Sequence, residues 1–77
     1  MKIGIELIAY MKRYAPADKS MFEMDLPDGA TVHGVLKKLG IPEKEARLTL
    51  VNGRHAQDDT ALKEGDSVVL LTPVEGG

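Results

Sequence analysis

The chain has 77 residues, 43% of them hydrophobic, which suits one compact domain and leaves too little material for two separate cores. Ten basic and twelve acidic residues give a net charge of −2 at neutral pH, and only 4% of the residues are aromatic. Nucleic-acid binding needs clustered cations or aromatic platforms, so the composition argues against a nucleic-acid partner.

The chain contains no cysteine, which excludes disulfide bonds and thiolate metal sites. His33 and His55 have no third ligand at metal spacing, so we expect no metal site. The sequence opens with a strand-like alternation instead of a signal peptide, and no apolar run approaches the roughly 20 residues of a membrane span. We therefore expect a soluble, cytoplasmic protein without a membrane partner.

The first part of the chain predicts two strands joined by a long connection. Residues 3–10 alternate between core-facing and outward positions with a period of two, which predicts a first strand. Residues 11–14 suit one helical turn, and Pro16 favours a loop after it. A second strand is predicted at residues 21–26, and the two strands are expected to form a hairpin.

A helix is predicted after the turn at residues 27–29. The i, i+3, i+4, i+7 spacing of an amphipathic helix is made by Val32, Val35, Leu36 and Leu39. Gly40 is expected to end this helix, because glycine readily adopts the conformation of a helix C-terminus. Residues 42–46 predict a further short turn of helix, with proline at an early position where its missing N–H costs little.

The last part of the chain predicts a hairpin and a final strand. Residues 48–51 and 54–56 predict two short strands. The Asn52-Gly53 pair between them is the strongest hairpin signal in the chain, since both residues tolerate positive φ. Residues 67–71 predict the final strand. Because strands and helices do not alternate, the order indicates an α+β domain, with one main helix across one face of a mixed sheet of four to five strands.

This order of elements, followed by residues 71–77 (LTPVEGG), resembles the ubiquitin-like β-grasp sulfur carriers. Within that group the chain is most similar to the small subunit of molybdopterin synthase, in the segments at residues 7–13, 26–32, 51–53 and 62–66. The resemblance implies a β-grasp domain at residues 1–72 and a flexible tail at residues 73–77.

Two positions depart from the pattern of that family. Thr72 stands where the family often has the first of two prolines, and Glu75 stands where it often has a small residue before the glycines. These differences leave the carrier chemistry intact but leave the pathway open. The shorter thiamine-pathway carrier has a similar fold and tail, so a sulfur carrier for thiamine or for another thiolation pathway is an alternative.

The resemblance implies that the carboxylate of Gly77 carries the chemistry. An E1-like adenylyltransferase would use ATP to adenylate it, and a sulfur donor would then convert it to a thiocarboxylate. The thiocarboxylate would deliver sulfur to a pterin precursor in a complex with the large catalytic subunit of molybdopterin synthase. Gly76 and Gly77 lack a Cβ, so this end of the chain can enter a narrow channel. We expect a carrier subunit with no enzyme activity and no bound cofactor of its own.

A docking face beside the tail is predicted from strand alternation. If Val68 and Leu70 point toward the helix, the residues between and after them face outward, as do alternate residues of the first strand. In a β-grasp these strands are parallel neighbours, and their carboxyl ends would form an exposed apolar patch of the kind that marks interfaces. The partner-binding residues predicted from this face and from the tail are Ile8, Tyr10, Val69, Leu71, Thr72, Pro73, Val74 and Glu75.

Two functions of other classes stay open at this point. A ubiquitin-like modifier would use the same terminus to form isopeptide bonds with lysines. A plain interaction domain would have an inert terminus, and its activity would survive removal of Gly76 and Gly77.

Overall fold

A computed structural model of the protein describes residues 1–72. Five strands and one α-helix are formed in these residues: β1 (Lys2–Ile8), β2 (Met21–Asp25), α1 (Val32–Leu39), β3 (Leu48–Val51), β4 (Arg54–His55) and β5 (Ser67–Leu71). They form one sheet in the order β2-β1-β5-β3-β4, in which β1 and β5 are parallel and the other pairs are antiparallel. This arrangement confirms the predicted α+β, β-grasp architecture with a mixed sheet. The predicted tail lies outside the described residues.

The core lies between the inner face of the sheet and α1. β1 and β5 occupy the middle of the sheet, and their inward residues are inaccessible to solvent. The largest fully buried side chains are Ile3, Leu7, Met11, Val32, Val35, Leu36, Val68 and Leu70. Full burial of one such aliphatic side chain contributes about 1.5–3 kcal/mol. The pairing of β1 with β5 under α1 is therefore the main source of apolar stabilisation.

Both ends of α1 are held by backbone hydrogen bonds. At its amino end the N–H groups of Val32 and His33 donate to carbonyls of residues 58–60 at 3.0 and 2.8 Å, and the side chain of Thr31 makes no capping bond. At its carboxyl end Gly40 adopts a left-handed conformation with φ of 74°. The N–H groups after the helix then return to the last turn, as in a Schellman motif. The predicted stop at Gly40 is confirmed.

The Asn52-Gly53 turn is confirmed, with φ of 52° and 83° at its two residues. The Asn52 amide donates from Nδ2 to Asp66 Oδ1 at 2.9 Å, and its Oδ1 accepts from the N–H of Ser67 at 3.0 Å. The side chain of the turn therefore ties the hairpin of β3 and β4 to the start of β5. Asp66 also accepts from the N–H of Lys63, and these two hydrogen bonds lower the pKa of its carboxyl.

Two sequence predictions about local structure are wrong. The first strand ends at Ile8 instead of residue 10, because Ala9 adopts a φ of 58° and the chain continues as a short 3₁₀-helix, Ala9–Tyr14. Residues 42–46 form a non-helical turn instead of the predicted short helix. The guanidinium of Arg47 binds the carbonyls of Glu43 and Glu45 at 3.4 and 2.9 Å, so a side chain occupies acceptors that a helix would use.

Within residues 1–72 no helix has the length and apolar character needed to cross a membrane. In the same part of the chain no three His, Cys, Asp or Glu side chains lie close enough together to hold a metal ion.

Two glycines of the helix region should respond in opposite ways to alanine substitution. Gly40→Ala should destabilise the protein by about 1–2 kcal/mol, because it places a Cβ in a left-handed conformation. Gly34→Ala is the matched control: its Cβ would lie 3.7 Å from the Cβ of Ala30, an ordinary contact. It should stabilise the helix by about 0.5–1 kcal/mol. Urea denaturation measures both, and a loss of stability in Gly34→Ala would contradict the packing described around α1.

Candidate functional site

The outer face of the sheet, opposite α1, carries its side chains in rows across the strands. One row consists of Ile8, Leu71 and Leu48, which are register partners across β1, β5 and β3. Ile8 and Leu71 end β1 and β5, and Leu48 begins β3, so the row lies where the described chain approaches its end at Thr72. The row is entirely apolar, so the described part of the chain ends beside a hydrophobic surface.

A second row crosses all five strands one step further from the tail. Its register partners are Met21, Glu6, Val69, Leu50 and His55. We call the apolar members of both rows the outer apolar patch: Ile8, Met21, Leu48, Leu50, Val69 and Leu71. Ile8 is 37% exposed, Leu48 38% and Met21 67%, although burial of large apolar side chains is favourable. Exposed apolar residues that adjoin one another on one face indicate a surface that a partner covers.

The predicted docking residues are placed as follows. Val69 and Leu71 alternate with the buried Val68 and Leu70 and face outward, half-buried. Ile8 is the register partner of Leu71, which confirms that β1 and β5 are parallel neighbours. Binding of a partner by these residues stays a prediction.

The predicted position of Tyr10 on the outer face of β1 is wrong. Because Ala9 turns the backbone away from the sheet, Tyr10 lies in the 3₁₀-helix and its side chain is 71% exposed. The Arg13 guanidinium lies 6.0 Å from the centre of its ring. Thr72 is half-buried at the end of the described chain, and the predicted residues Pro73, Val74, Glu75, Gly76 and Gly77 lie outside the described residues.

A polar cluster holds the 3₁₀-helix that follows β1 against the turn that precedes β3. The Tyr14 hydroxyl donates to Glu45 Oε1 at 2.6 Å, and Arg13 donates to the same oxygen at 2.7 Å. Arg13 also lies 5.4 Å from the centre of the Tyr14 ring. The hydrogen bond from Tyr14, and then that from Arg13, lower the pKa of the Glu45 carboxyl. The cluster therefore fixes the segments on both sides of the Ile8–Leu71–Leu48 row.

Arg47, directly before Leu48, also holds a segment that borders the apolar row. Its side chain is only 9% exposed and forms an ion pair with Asp58 at 2.5 Å. Together with its bonds to two backbone carbonyls, this pairing anchors residues 43–47 on the loop that caps α1. Because Leu48 follows Arg47 at once in the chain, the ion pair also sets the start of β3 and the position of Leu48 at the edge of the patch.

Several residues of this face were missed by reasoning from the sequence. The sequence pattern assigns Met21 and Leu50 to strands without indicating that they belong to the docking face, and it does not assign Leu48 to that face either. The cross-strand register supplies the missing information: Leu48 faces outward because its partner is Leu71, and its neighbour Thr49 is buried beside Leu70. The hydrogen bond between Tyr14 and Glu45 joins residues 31 positions apart, so no local sequence pattern indicates it.

Solved structures share this fold. The putative molybdopterin converting factor subunit 1 from Pyrococcus furiosus is 26% identical, with 95% of this chain and 98% of that chain covered and a TM-score of 0.77. SAMP1 from Haloferax volcanii is 23% identical over 100% of both chains, with a TM-score of 0.80. A chain in the complex of subunits 1 and 2 of molybdopterin-converting factor from Helicobacter pylori is 23% identical over 100% of both chains, with a TM-score of 0.66. No curated protein matches the chain by sequence.

The β-grasp sheet, the helix across its inner face and the likeness to these small proteins define a ubiquitin-like β-grasp domain. The match of residues 8–77 makes the family explicit: the chain belongs to the ThiS family. The predicted resemblance to the β-grasp sulfur carriers is thereby confirmed.

The pKa of Glu45 gives a direct test of the polar cluster. Tyr14→Phe removes the hydroxyl that donates to the carboxylate and should raise the pKa of Glu45 toward its usual value. Carbon-detected NMR titration of the side-chain carboxyl measures this. Tyr10→Phe is the control, because Tyr10 has a ring near Arg13 but its hydroxyl makes no hydrogen bond within residues 1–72.

The same substitution has a defined effect on stability. Since folding lowers the pKa of Glu45, the carboxylate stabilises the protein above its unfolded-state pKa, and this contribution is lost as the pH falls through the folded-state pKa. Tyr14→Phe should therefore cost stability at neutral pH, and the difference from the wild type should shrink in acid. A difference that grows as the pH falls would contradict the contact.

Proposed function

We propose that this protein is the sulfur carrier of molybdopterin biosynthesis, with Gly77 as the residue that bears the sulfur. The single observation that carries the proposal is the parallel pairing of β1 with β5, which sets the apolar row of Ile8, Leu71 and Leu48 at the start of the segment that leads to Gly76-Gly77. A partner that binds this row would bring its own catalytic groups close to Gly76 and Gly77.

The proposed chemistry requires activation of a poor electrophile. An E1-like adenylyltransferase would join the Gly77 carboxylate to the α-phosphate of ATP and release pyrophosphate. A sulfur donor of the chemical class of sulfide, HS⁻, would then attack the acyl carbon, break the bond to the phosphate oxygen and release AMP and a proton, which leaves a thiocarboxylate. ATP is bound by the activating enzyme, and this chain supplies only the acyl group.

Two features of the chain support that division of labour. It has no cysteine, so the sulfur cannot be carried as a persulfide on a cysteine side chain. The acyl group of Gly77 is the proposed carrier instead. Gly76 and Gly77 have no side chains to obstruct a narrow active-site channel. The absence of cysteine also suits a reducing compartment, and we place the carrier in the cytoplasm.

We further propose that the large catalytic subunit of molybdopterin synthase binds the outer apolar patch. The Pyrococcus furiosus protein, 26% identical, is described as a molybdopterin converting factor subunit 1, and the Helicobacter pylori structure is a complex of subunits 1 and 2 of that factor. Both likenesses support a two-subunit assembly for this chain. The acid, base and substrate-binding groups would come from the larger subunit.

Intact-mass spectrometry tests the carrier chemistry. Incubation with the cognate adenylyltransferase, ATP and a sulfur donor should exchange one oxygen of the protein for one sulfur, and deletion of Gly77 should abolish the exchange. A chain with a single alanine in place of Lys37, on the exposed face of α1, is the control and should load normally. An unchanged mass, under conditions that load a control carrier, would contradict the proposal.

The pathway can be tested in cells that lack the gene. If the carrier serves molybdopterin, the deletion should abolish molybdenum- or tungsten-dependent enzyme activity and leave growth without thiamine intact. A thiamine requirement would instead support the alternative of a thiamine-pathway carrier. Lysine-linked adducts that disappear on deletion of Gly77 would support a ubiquitin-like modifier.

The outer apolar patch should contribute to binding of the large subunit. Ile8→Ser and Leu48→Ser each remove apolar surface that a partner would cover, and each should weaken binding by about 1–3 kcal/mol. Calorimetric titration measures the affinity, circular dichroism checks that the fold is retained, and Lys37→Ser on α1 should leave the affinity unchanged. Equal affinity of all three variants would exclude this face as the interface.

A further inference from the structure

A groove of about 320 Å³ lies on the outer face of the sheet, at the end away from the tail. Its floor is Gly4 in β1, and it is flanked by Glu23 in β2 and Ser67 in β5, the two register partners of that glycine. Met21 and Val69 close the side that adjoins the outer apolar patch. The groove thus includes the space that a side chain at position 4 would occupy.

The backbone does not require a glycine at this position. A Cβ on Gly4 would lie 3.8 Å from Ser67 Oγ and 3.9 Å from the carbonyl oxygen of Asp66, which are ordinary contacts, and its φ is not positive. Glycine in the interior of a strand weakens the strand, and it often marks a place where another molecule approaches the backbone closely. The open floor therefore indicates an occupant.

The lining of the groove defines the chemistry of that occupant. Glu6 and Glu23 stand at its rim in diagonal positions, about 7–8 Å apart at their backbones. Within residues 1–72 neither carboxylate forms an ion pair or a hydrogen bond. Lys2, the next outward residue of β1, is already paired with Asp25 at 3.8 Å. The groove thus offers two carboxylates beside the exposed side chain of Met21.

We propose that this groove receives an arginine side chain of a protein partner. The aliphatic stem of the arginine would lie over Gly4 and against Met21 and Val69, and its guanidinium would bridge Glu6 and Glu23. Arginine suits the site better than lysine, because its planar fork presents donors to two carboxylates at once and is more weakly hydrated than an ammonium group. Arginine is also enriched at protein interfaces.

The partner is the large catalytic subunit that binds the outer apolar patch, so the identity of the partner rests on the function proposed above. Ser67, which flanks the groove, lies four positions before Leu71 at the end of β5, about 13 Å at the rise of a strand. An interface of standard size covers that distance. Because Met21 and Val69 belong both to the groove wall and to the outer apolar patch, one partner surface can cover the two sites together.

The groove can be tested without the partner. ¹⁵N-labelled full-length protein is titrated with N-acetyl-arginine N-methylamide, and the citrulline analogue serves as the uncharged control of the same shape. Amide shifts should change at residues 4–6, 21–23 and 67–69 with arginine and be at least fivefold smaller with citrulline. The variant Glu6→Gln/Glu23→Gln should lose the response, whereas Asp28→Asn/Asp59→Asn, which changes the net charge equally at the amino end of α1, should keep it.

A substitution that fills the floor of the groove provides a second variant for the arginine titration. Gly4→Ala should fold at least as stably as the wild type and lose most of the arginine response. The proposal is overturned if arginine shifts residues across the whole surface, if citrulline acts equally, or if Gly4→Ala binds arginine as before. It is also overturned if sedimentation shows that the wild type dimerises and that Gly4→Ala, which fills the floor of the groove, abolishes the dimer.

Binding to the large subunit then extends the test. Glu6→Gln/Glu23→Gln should weaken this complex about tenfold or more, with the loss reduced at high salt, and Asp28→Asn/Asp59→Asn should not. A chain that binds arginine in the groove but never acquires sulfur would refute the carrier function and leave the groove in place. A chain that acquires sulfur but shows no response to arginine would refute the groove proposal and leave the carrier function in place.

Discussion

The parallel pairing of β1 with β5 is the contact on which the rest of the molecule depends. These strands come from opposite ends of the chain, and their pairing from Gly4–Ser67 to Ile8–Leu71 closes almost the whole sequence into one loop. Such long-range closure carries a large entropic cost, which the buried inner faces of both strands and of α1 offset. With this pair in the middle of the sheet, the remaining strands add to its two sides.

The same pairing produces the outer face. Because successive side chains of a strand alternate, each residue that β1 and β5 bury under α1 has a neighbour that faces away from it. The core and the outer face are therefore two sides of one register, and a shift by a single residue would exchange them. Polar contacts at the rim, Arg13 with Glu45 and Arg47 with Asp58, fix the segments that border this face. The sheet thus presents an ordered outer face where the described part of the chain ends.

Periodicity was sufficient to predict most of the fold, since the bounds of α1, β3 and β5 follow from the spacing of apolar residues. It could not predict the end of β1, because Ala9 breaks the alternation through a backbone angle that alanine rarely adopts. It also failed at residues 42–46, where Arg47 takes up the backbone carbonyls and pairs with Asp58 in a distant loop. The outward position of Leu48 required the register with β5, which a single sequence does not contain.

Recognition of such a carrier must depend more on its outer face than on its last residues. A Gly-Gly segment has no side chains to distinguish it from the same segment in a related carrier, and glycine loses more conformational freedom than any other residue when a channel holds it. Specificity is a difference of affinities between partners, so it has to come from groups that differ between carriers. In the proposed complex those groups are the apolar row that starts at Ile8 and the carboxylates around Gly4, both held in place by strands that the core has already ordered.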